Sequence, residues 1–204
     1  MVRIGFIGCH EVSFHCFKKI CNLANEFNDI ISIAFDLLPE EASKYSASTN
    51  LEPLQNEFNF PLHHVKNIID KENNSMISNA NLDVLFIIGW HRIVPQSILD
   101  HAKICIGLHT SMLPEDRGSS PINWQLIRGS KKGGVSLFHL TPDVDSGDVI
   151  DQKEFLIDFN DDVKTVYFKS ILASLDLLEN NWLDIHNLKP NQIIQNEEKI
   201  TFNS

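Results

Sequence analysis

The sequence predicts an α/β fold, a Rossmann-like, mostly parallel sheet with helices on both faces. Three observations predict it. Apolar runs at residues 2–7, 30–35, 84–88 and 104–108 are continuous rather than alternating, as strands buried on both faces require. Segments of helical character separate several of these runs. Gly8 and Gly89 close two of the runs, where a strand turns into the next element.

The elements follow in order. After the first strand, Val12, Cys16, Ile20, Leu23 and Phe27 recur at helical spacing. Residues 30–35 form the second strand. Residues 39–50 are polar and read as an irregular surface loop. A short helix is expected at 51–58, a short strand at 62–65 and a polar helix at 70–79. The run at 84–88 is a third long strand, followed by a helical turn at 95–99 and a strand at 104–108. Pro121 opens a helix at 121–127, a position that proline suits, and Gly129 with the Lys131-Lys132-Gly133-Gly134 run ends it. Residues 135–140 alternate like a strand, with 149–157 as the partner. Asp161 and Asp162 mark a helix start, and Val163, Val166, Tyr167, Ile171, Leu175 and Leu178 line one face of that helix. Residues 1–188 are expected to form one domain, and 189–204 a polar tail with one short strand at 199–202.

The chain has 204 residues, 43% hydrophobic and 22% charged, enough for an ordinary core. Its net charge is −10, and no basic patch of the kind that binds duplex or tRNA stands out. That balance leaves room for a local phosphate pocket. The N-terminus shows no signal-peptide pattern and the apolar runs are too short to span a bilayer, so a cytoplasmic protein is expected. Cys9, Cys16, Cys21 and Cys105 have no C-x-x-C spacing and read as small buried thiols, with no metal site. The first turn, Gly5-Phe6-Ile7-Gly8-Cys9-His10, lacks the three glycines of a dinucleotide loop, and a lone Asp36 after the second strand does not replace them.

Chemistry concentrates in the middle of the chain. His109 directly follows the strand at 104–108. A Pro/Gly-broken loop comes next, then an acidic turn, Asp143-Val144-Asp145-Ser146-Gly147-Asp148. This order brings an imidazole and a carboxylate to the end of a sheet, where general acid/base groups are commonly mounted. Asp145 and Asp143 compete for the carboxylate role. His63 and His64 have no evident partners for a metal; His10 and His15 flank the first turn and helix, and His10 could touch substrate.

Four segments occur in order: Gly89-Trp90-His91-Arg92-Ile93-Val94-Pro95; His109-Thr110-Ser111-Met112-Leu113-Pro114; Arg117-Gly118-x-x-Pro121-x-x-Trp124; and Asp145-Ser146-Gly147-Asp148-Val149-Ile150. Together they resemble the folate-dependent formyltransferases over roughly residues 1–185. The resemblance implies 10-formyltetrahydrofolate as formyl donor and His109 and Asp145 as catalytic residues. It implies that Trp90, His91, Arg92, Ile93 and Val94 wrap the pterin, with Asp143 closing the other side. Ser111, Arg117 and Gly118 are then expected at the acceptor. The family carries an Asn two residues before its histidine, where this chain has Gly107. Loss of one such oxyanion donor typically costs about two to three orders of magnitude in rate. Ser111, His91 or a backbone N–H could stand in for the amide.

Within that family the Arg117-to-Trp124 segment looks more like the amino-sugar and tRNA branches. Fewer than twenty residues follow Leu188, and the first turn does not match a glycine-rich phosphate loop. The expected acceptor is therefore a nucleotide-linked amino deoxysugar, with no nucleic-acid or membrane partner and a homodimer as a compatible assembly. A folate- or nucleotide-sugar-binding domain that has lost turnover, and a transferase for another small amine, are the competing readings.

Overall fold

The computed structural model describes residues 1–203, so the end of the expected tail, Ser204, lies outside the described residues. The chain begins with strand β1 (Arg3–Ile7), helix α1 (Glu11–Phe27) and strand β2 (Ile30–Leu37). Helices α2 (Pro39–Ala42) and α3 (Glu52–Phe58), strand β3 (Leu62–Val65) and helix α4 (Lys71–Asn79) follow. Strand β4 (Leu82–Ile87), helix α5 (Gln96–Leu99) and strand β5 (Ala102–His109) complete the parallel half. The remainder is β6 (Arg117–Gly118), α6 (Pro121–Ile127), β7 (Lys132–His139), β8 (Val149–Leu156), α7 (Val163–His186) and β9 (Phe202–Asn203).

Seven strands form one sheet in the order β3-β2-β1-β4-β5-β7-β8. The first five are parallel, while β7 runs antiparallel to β5 and β8 antiparallel to β7. The central strands are buried on both sides, which explains their unbroken apolar runs. Val84, Phe86 and Ile106 face the layer made by α1 and α7, packing with Phe17, Ile20, Leu177 and Trp182. Leu85, Ile87 and Cys105 face the opposite layer with Ile77, Ile98 and Leu99 from α4 and α5. Helix α7 starts where its acidic signal placed it: Asp162 accepts from the Thr165 N–H at 2.8 Å while the Thr165 hydroxyl accepts from the Asp162 N–H at 2.8 Å. No helix among the described residues is long and apolar enough to cross a membrane.

Two segments differ from the sequence expectation. Residues 39–50 are not a detached surface loop. They contain α2, and their far end folds over the β1–α1 turn: Glu11 N–H donates to Ala47 O at 2.8 Å and Thr49 N–H to Cys9 O at 2.9 Å. The backbone groups exposed where β1 gives way to α1 need partners, and this loop supplies them. The last segment is held just as closely. A short 3₁₀ turn occupies Glu197–Lys199, and β9 pairs in parallel with β6, joining Arg117 to Phe202 and Gly118 to Asn203. Val149 and Ile193 exchange two backbone hydrogen bonds of 2.9 Å.

Candidate active site

The chain leaves β1 toward β2 and β3 on one side, then crosses back to β4 and β5 on the other. The carboxyl ends of β1 and β4 therefore diverge around a crevice, the position where open α/β sheets collect ligands. Gly89 follows the end of β4, and His109 is the last residue of the adjacent parallel strand β5. The two thus lie at neighbouring carboxyl ends, as expected.

His109 is 8% exposed. Its Nε2 lies 2.7 Å from the carbonyl oxygen of Asp116, which can only accept, so Nε2 carries the proton. That fixes the tautomer and leaves Nδ1 as the working nitrogen. Nδ1 lies 3.5 Å from Oδ2 of Asp145. The same Oδ2 accepts the Gly118 N–H at 2.9 Å. Asp145 sits in the left-handed region, φ 50°, a conformation that Asp tolerates better than most residues. Two residues on, a Cβ at Gly147 would lie 1.8 Å from the His139 carbonyl oxygen, so only glycine lets the acidic turn lie this close to β7.

Two cavities meet at His109. One, of about 660 Å³, is lined by Trp90, His91, Arg92, Ile93 and Val94 on one wall and by the acidic turn, including Asp143 and Asp145, on the other. The second, of about 670 Å³, lies toward the α1 side, lined among others by Glu11, Ser46, Asn123, Lys164 and Tyr167. His10, Gly89, Trp90, Leu108, His109 and Ser120 line both. Tyr167 is anchored from α7, its hydroxyl accepting the Val12 N–H at 3.1 Å. Ile93 is 70% exposed at the mouth of the first cavity. Trp90 Nε1 and His91 Nε2 are buried with no hydrogen-bond partner. Burial, with Arg92 beside it, pushes the His91 pKa below the usual imidazole range, so its ring is neutral near pH 7.

The structure separates the sequence-singled residues into two groups. Trp90, His91, Arg92, Ile93, Val94, His109, Gly118, Asp143 and Asp145 line the first cavity. Ser111 and Arg117 line neither cavity. Ser111 is buried, its hydroxyl donating to Glu115 O at 2.6 Å. It is thus committed elsewhere and does not replace the missing amide. Arg117 is buried as well: its Nε and Nη2 donate to Gln195 Oε1 at 3.1 and 2.6 Å. Gln195 in turn donates through Nε2 to the carbonyls of Asp145 at 2.9 Å and Gly147 at 2.7 Å. The guanidinium therefore braces the acidic turn from behind. Asp36 is spent on structure, accepting from the Leu51 N–H and the His64 ring.

Gln195 and Asp116 were not singled out by the sequence, whereas His10, noted there as able to touch substrate, lines both cavities. Gln195 lies in a polar stretch without periodicity, 78 residues from its arginine, so no local signal marks it. At Gly107, an added Cβ would lie 2.8 Å from Leu140 Cδ2 and 3.1 Å from Phe138 Cε1. A longer side chain there would have to displace the ends of the Leu140 and Phe138 side chains, although Gly107 itself lines the first cavity.

Comparison with known proteins agrees with this architecture. The sequence model of the family described as formyl transferase matches residues 23–174. Methionyl-tRNA formyltransferase of Clostridioides difficile (strain 630) is 27% identical over 202 residues, covering 98% of this chain and 65% of the relative. The chain thus spans less than two thirds of the length of that relative. The N-formyltransferase from Helicobacter canadensis, solved with folinic acid and dTDP-3-aminofucose, matches with a TM-score of 0.76 at 17% identity, over 100% of this chain and 71% of that one. Phosphoribosylglycinamide formyltransferase from Anaplasma phagocytophilum gives a TM-score of 0.78 at 17% identity, over 100% and 99%. At such identities the structural matches bear on fold alone. The family model spans most of the sequence and includes both His109 and Asp145, and the chain belongs to the formyl transferase family.

Proposed function

We propose that this chain transfers a formyl group from 10-formyltetrahydrofolate to the amine of a nucleotide-linked amino deoxysugar, with His109 and Asp145 as the catalytic pair. The observation that carries this reading is the meeting of two separate cavities at one imidazole. A group transfer needs a donor and an acceptor on either side of the acid/base group, and His109 lines both cavities.

The folate fits the first cavity. An exposed isoleucine, Val94 and the Trp90 ring offer apolar area, and the unpartnered Trp90 and His91 nitrogens need polar partners that a pterin edge supplies. The bound donor supplies an activated formyl carbon. The amine enters from the second cavity and loses a proton as its nitrogen bonds the formyl carbon. Negative charge grows on the formyl oxygen, and its collapse breaks the bond to the folate nitrogen, which leaves with a proton as tetrahydrofolate. His109 works through Nδ1, its Nε2–H being held by Asp116. The Asp145 carboxylate, fixed by the Gly118 N–H, stabilises the imidazolium when Nδ1 takes up a proton. We take residues 1–188 as the catalytic unit, and Gln195 in the segment that follows braces its acidic turn from outside the cleft.

An amino sugar is favoured over a polyanionic acceptor such as tRNA because Lys164 is the one lysine or arginine lining the second cavity, and the chain carries a net charge of −10. The solved relative from Helicobacter canadensis was crystallised with such a nucleotide sugar. Purified protein would be incubated with 10-formyltetrahydrofolate and a panel of nucleotide-linked amino sugars, with methionyl-tRNA as a parallel arm, and products read by mass. A gain of one formyl group on an amino sugar is expected. Transfer to methionyl-tRNA alone would replace the acceptor, and folate binding without transfer to any amine would make the chain a binding domain.

A further inference from the structure

We propose that Cys9, His10 and His91 form a binding site for a divalent ion of the zinc class, at the edge of the cleft and separate from the His109–Asp145 pair. Cys9 lies just beyond the end of β1, and His10 follows it as the N-cap of α1. His91 lies in the loop after the neighbouring parallel strand β4. Adjacent strand ends thus deliver three ligands of the type that zinc prefers, one thiol and two imidazoles.

The geometry supports the assignment. One ligand atom from each residue lies within 4.8 Å of the other two, and this is the one such group among the described residues. A tetrahedral zinc with Zn–S of about 2.3 Å and Zn–N of about 2.0–2.1 Å sets its sulfur and nitrogen roughly 3.6 Å apart. Cys9 Sγ and His91 Nδ1 are 3.6 Å apart. Cys9 Sγ also lies 3.2 Å from the Gly89 carbonyl oxygen, a contact that metal binding would replace, and His91 Nε2 has no partner in the protein. Cys16, Cys21 and Cys105 are buried too, but none has histidines gathered around it.

A zinc-class ion takes cysteine as the thiolate and histidine as the neutral ring. Binding then breaks the S–H bond, forms a metal–sulfur bond and releases one proton to solvent, with no change in oxidation state. Three protein ligands leave one position open on a tetrahedral ion, and His10 and His91 both line the cleft. A bound ion would tie the loop carrying His91 to the β1–α1 turn.

The proposal does not depend on the formyl-transfer reading, and its test reads no turnover. Metal-free full-length protein is titrated with Co²⁺. The expected result is a thiolate-to-cobalt charge-transfer band with tetrahedral d–d absorption, saturating at one equivalent and abolished by competing Zn²⁺. Cys9→Ser should remove the charge-transfer band. His91→Gln, which keeps the thiol, should weaken binding about tenfold or more. Cys21→Ser should leave the spectrum unchanged. Circular dichroism checks that each variant folds. Absence of the band, its survival in folded Cys9→Ser, or unchanged affinity in folded His91→Gln would overturn the assignment.

Discussion

The wall of the cleft from Trp90 to Val94 and the wall formed by Gly118 and the acidic turn, with Arg117 behind it, differ in how their polar groups are spent. On the first, two ring nitrogens are buried with no partner and an isoleucine stands open to solvent. On the second, Arg117 is held by Gln195, Gln195 by two carbonyls of the acidic turn, and Asp145 by the Gly118 N–H. A buried polar atom without a partner costs about 1–3 kcal/mol, a cost that a ligand can recover. A saturated network keeps a carboxylate in one place, as a preorganised charge must be. The comparison teaches that one wall is made to be completed by a ligand, and the other to hold still.

The largest test of this division removes the groups at its centre. His109→Ala and Asp145→Asn should each lower kcat/KM for formyl transfer by about several hundred-fold or more, with unchanged circular dichroism. Turnover near wild type in either variant would move the chemistry to other residues. On the unsatisfied wall, Val94→Asp sets a charge against an apolar slot. Folate binding should weaken by roughly 2 kcal/mol, about thirtyfold, while acceptor binding holds. Calorimetry with each ligand separates this from misfolding, which would weaken both.

The saturated wall gives a smaller and differently shaped effect. Gln195→Ala or Arg117→Ala should lower kcat by about tenfold and stability in urea by about 2–3 kcal/mol, with KM for the acceptor little changed. A raised acceptor KM at normal kcat in Arg117→Ala would instead make the guanidinium a substrate ligand. The smallest effect is expected at Gly107. Gly107→Asn crowds Leu140 and Phe138, so stability should fall by about 1–2 kcal/mol and the rate should change little. A rate gain approaching a hundredfold would show that the oxyanion site lacks a donor which the amide restores.

The sequence discloses the two walls unequally. The parallel strands were legible because burial on both faces leaves continuous apolar runs, and His109 because it directly follows one of them. The loop at Trp90 to Val94 was picked out by its resemblance to the family's folate-binding loop, and the structure sets its residues together along the cleft. The bracing of the opposite wall was not legible. Arg117 in sequence is a lone cation beside a glycine, equally suited to phosphate or to solvent. Its actual partner lies beyond β7, β8 and α7, and no periodicity or turn chemistry connects residues at that separation. The loop at 39–50 was misjudged for a related reason: its composition is polar, but its backbone carbonyl and N–H groups serve the β1–α1 turn. Composition reports side chains, and here the main chain decides.

The pairing of β6 with β9 ties the acidic turn's support to a strand of two residues. Such short pairings open far more often than the sheet beneath them, and each opening is a local event that leaves the core protected from hydrogen exchange. Slow-exchanging amides in β1, β4 and β5 would therefore say little about readiness for chemistry. The fraction of molecules with Asp145 in position would instead follow the opening equilibrium at residues 117–118 and 202–203, and the amide of Gly118, bonded directly to that carboxylate, would report it.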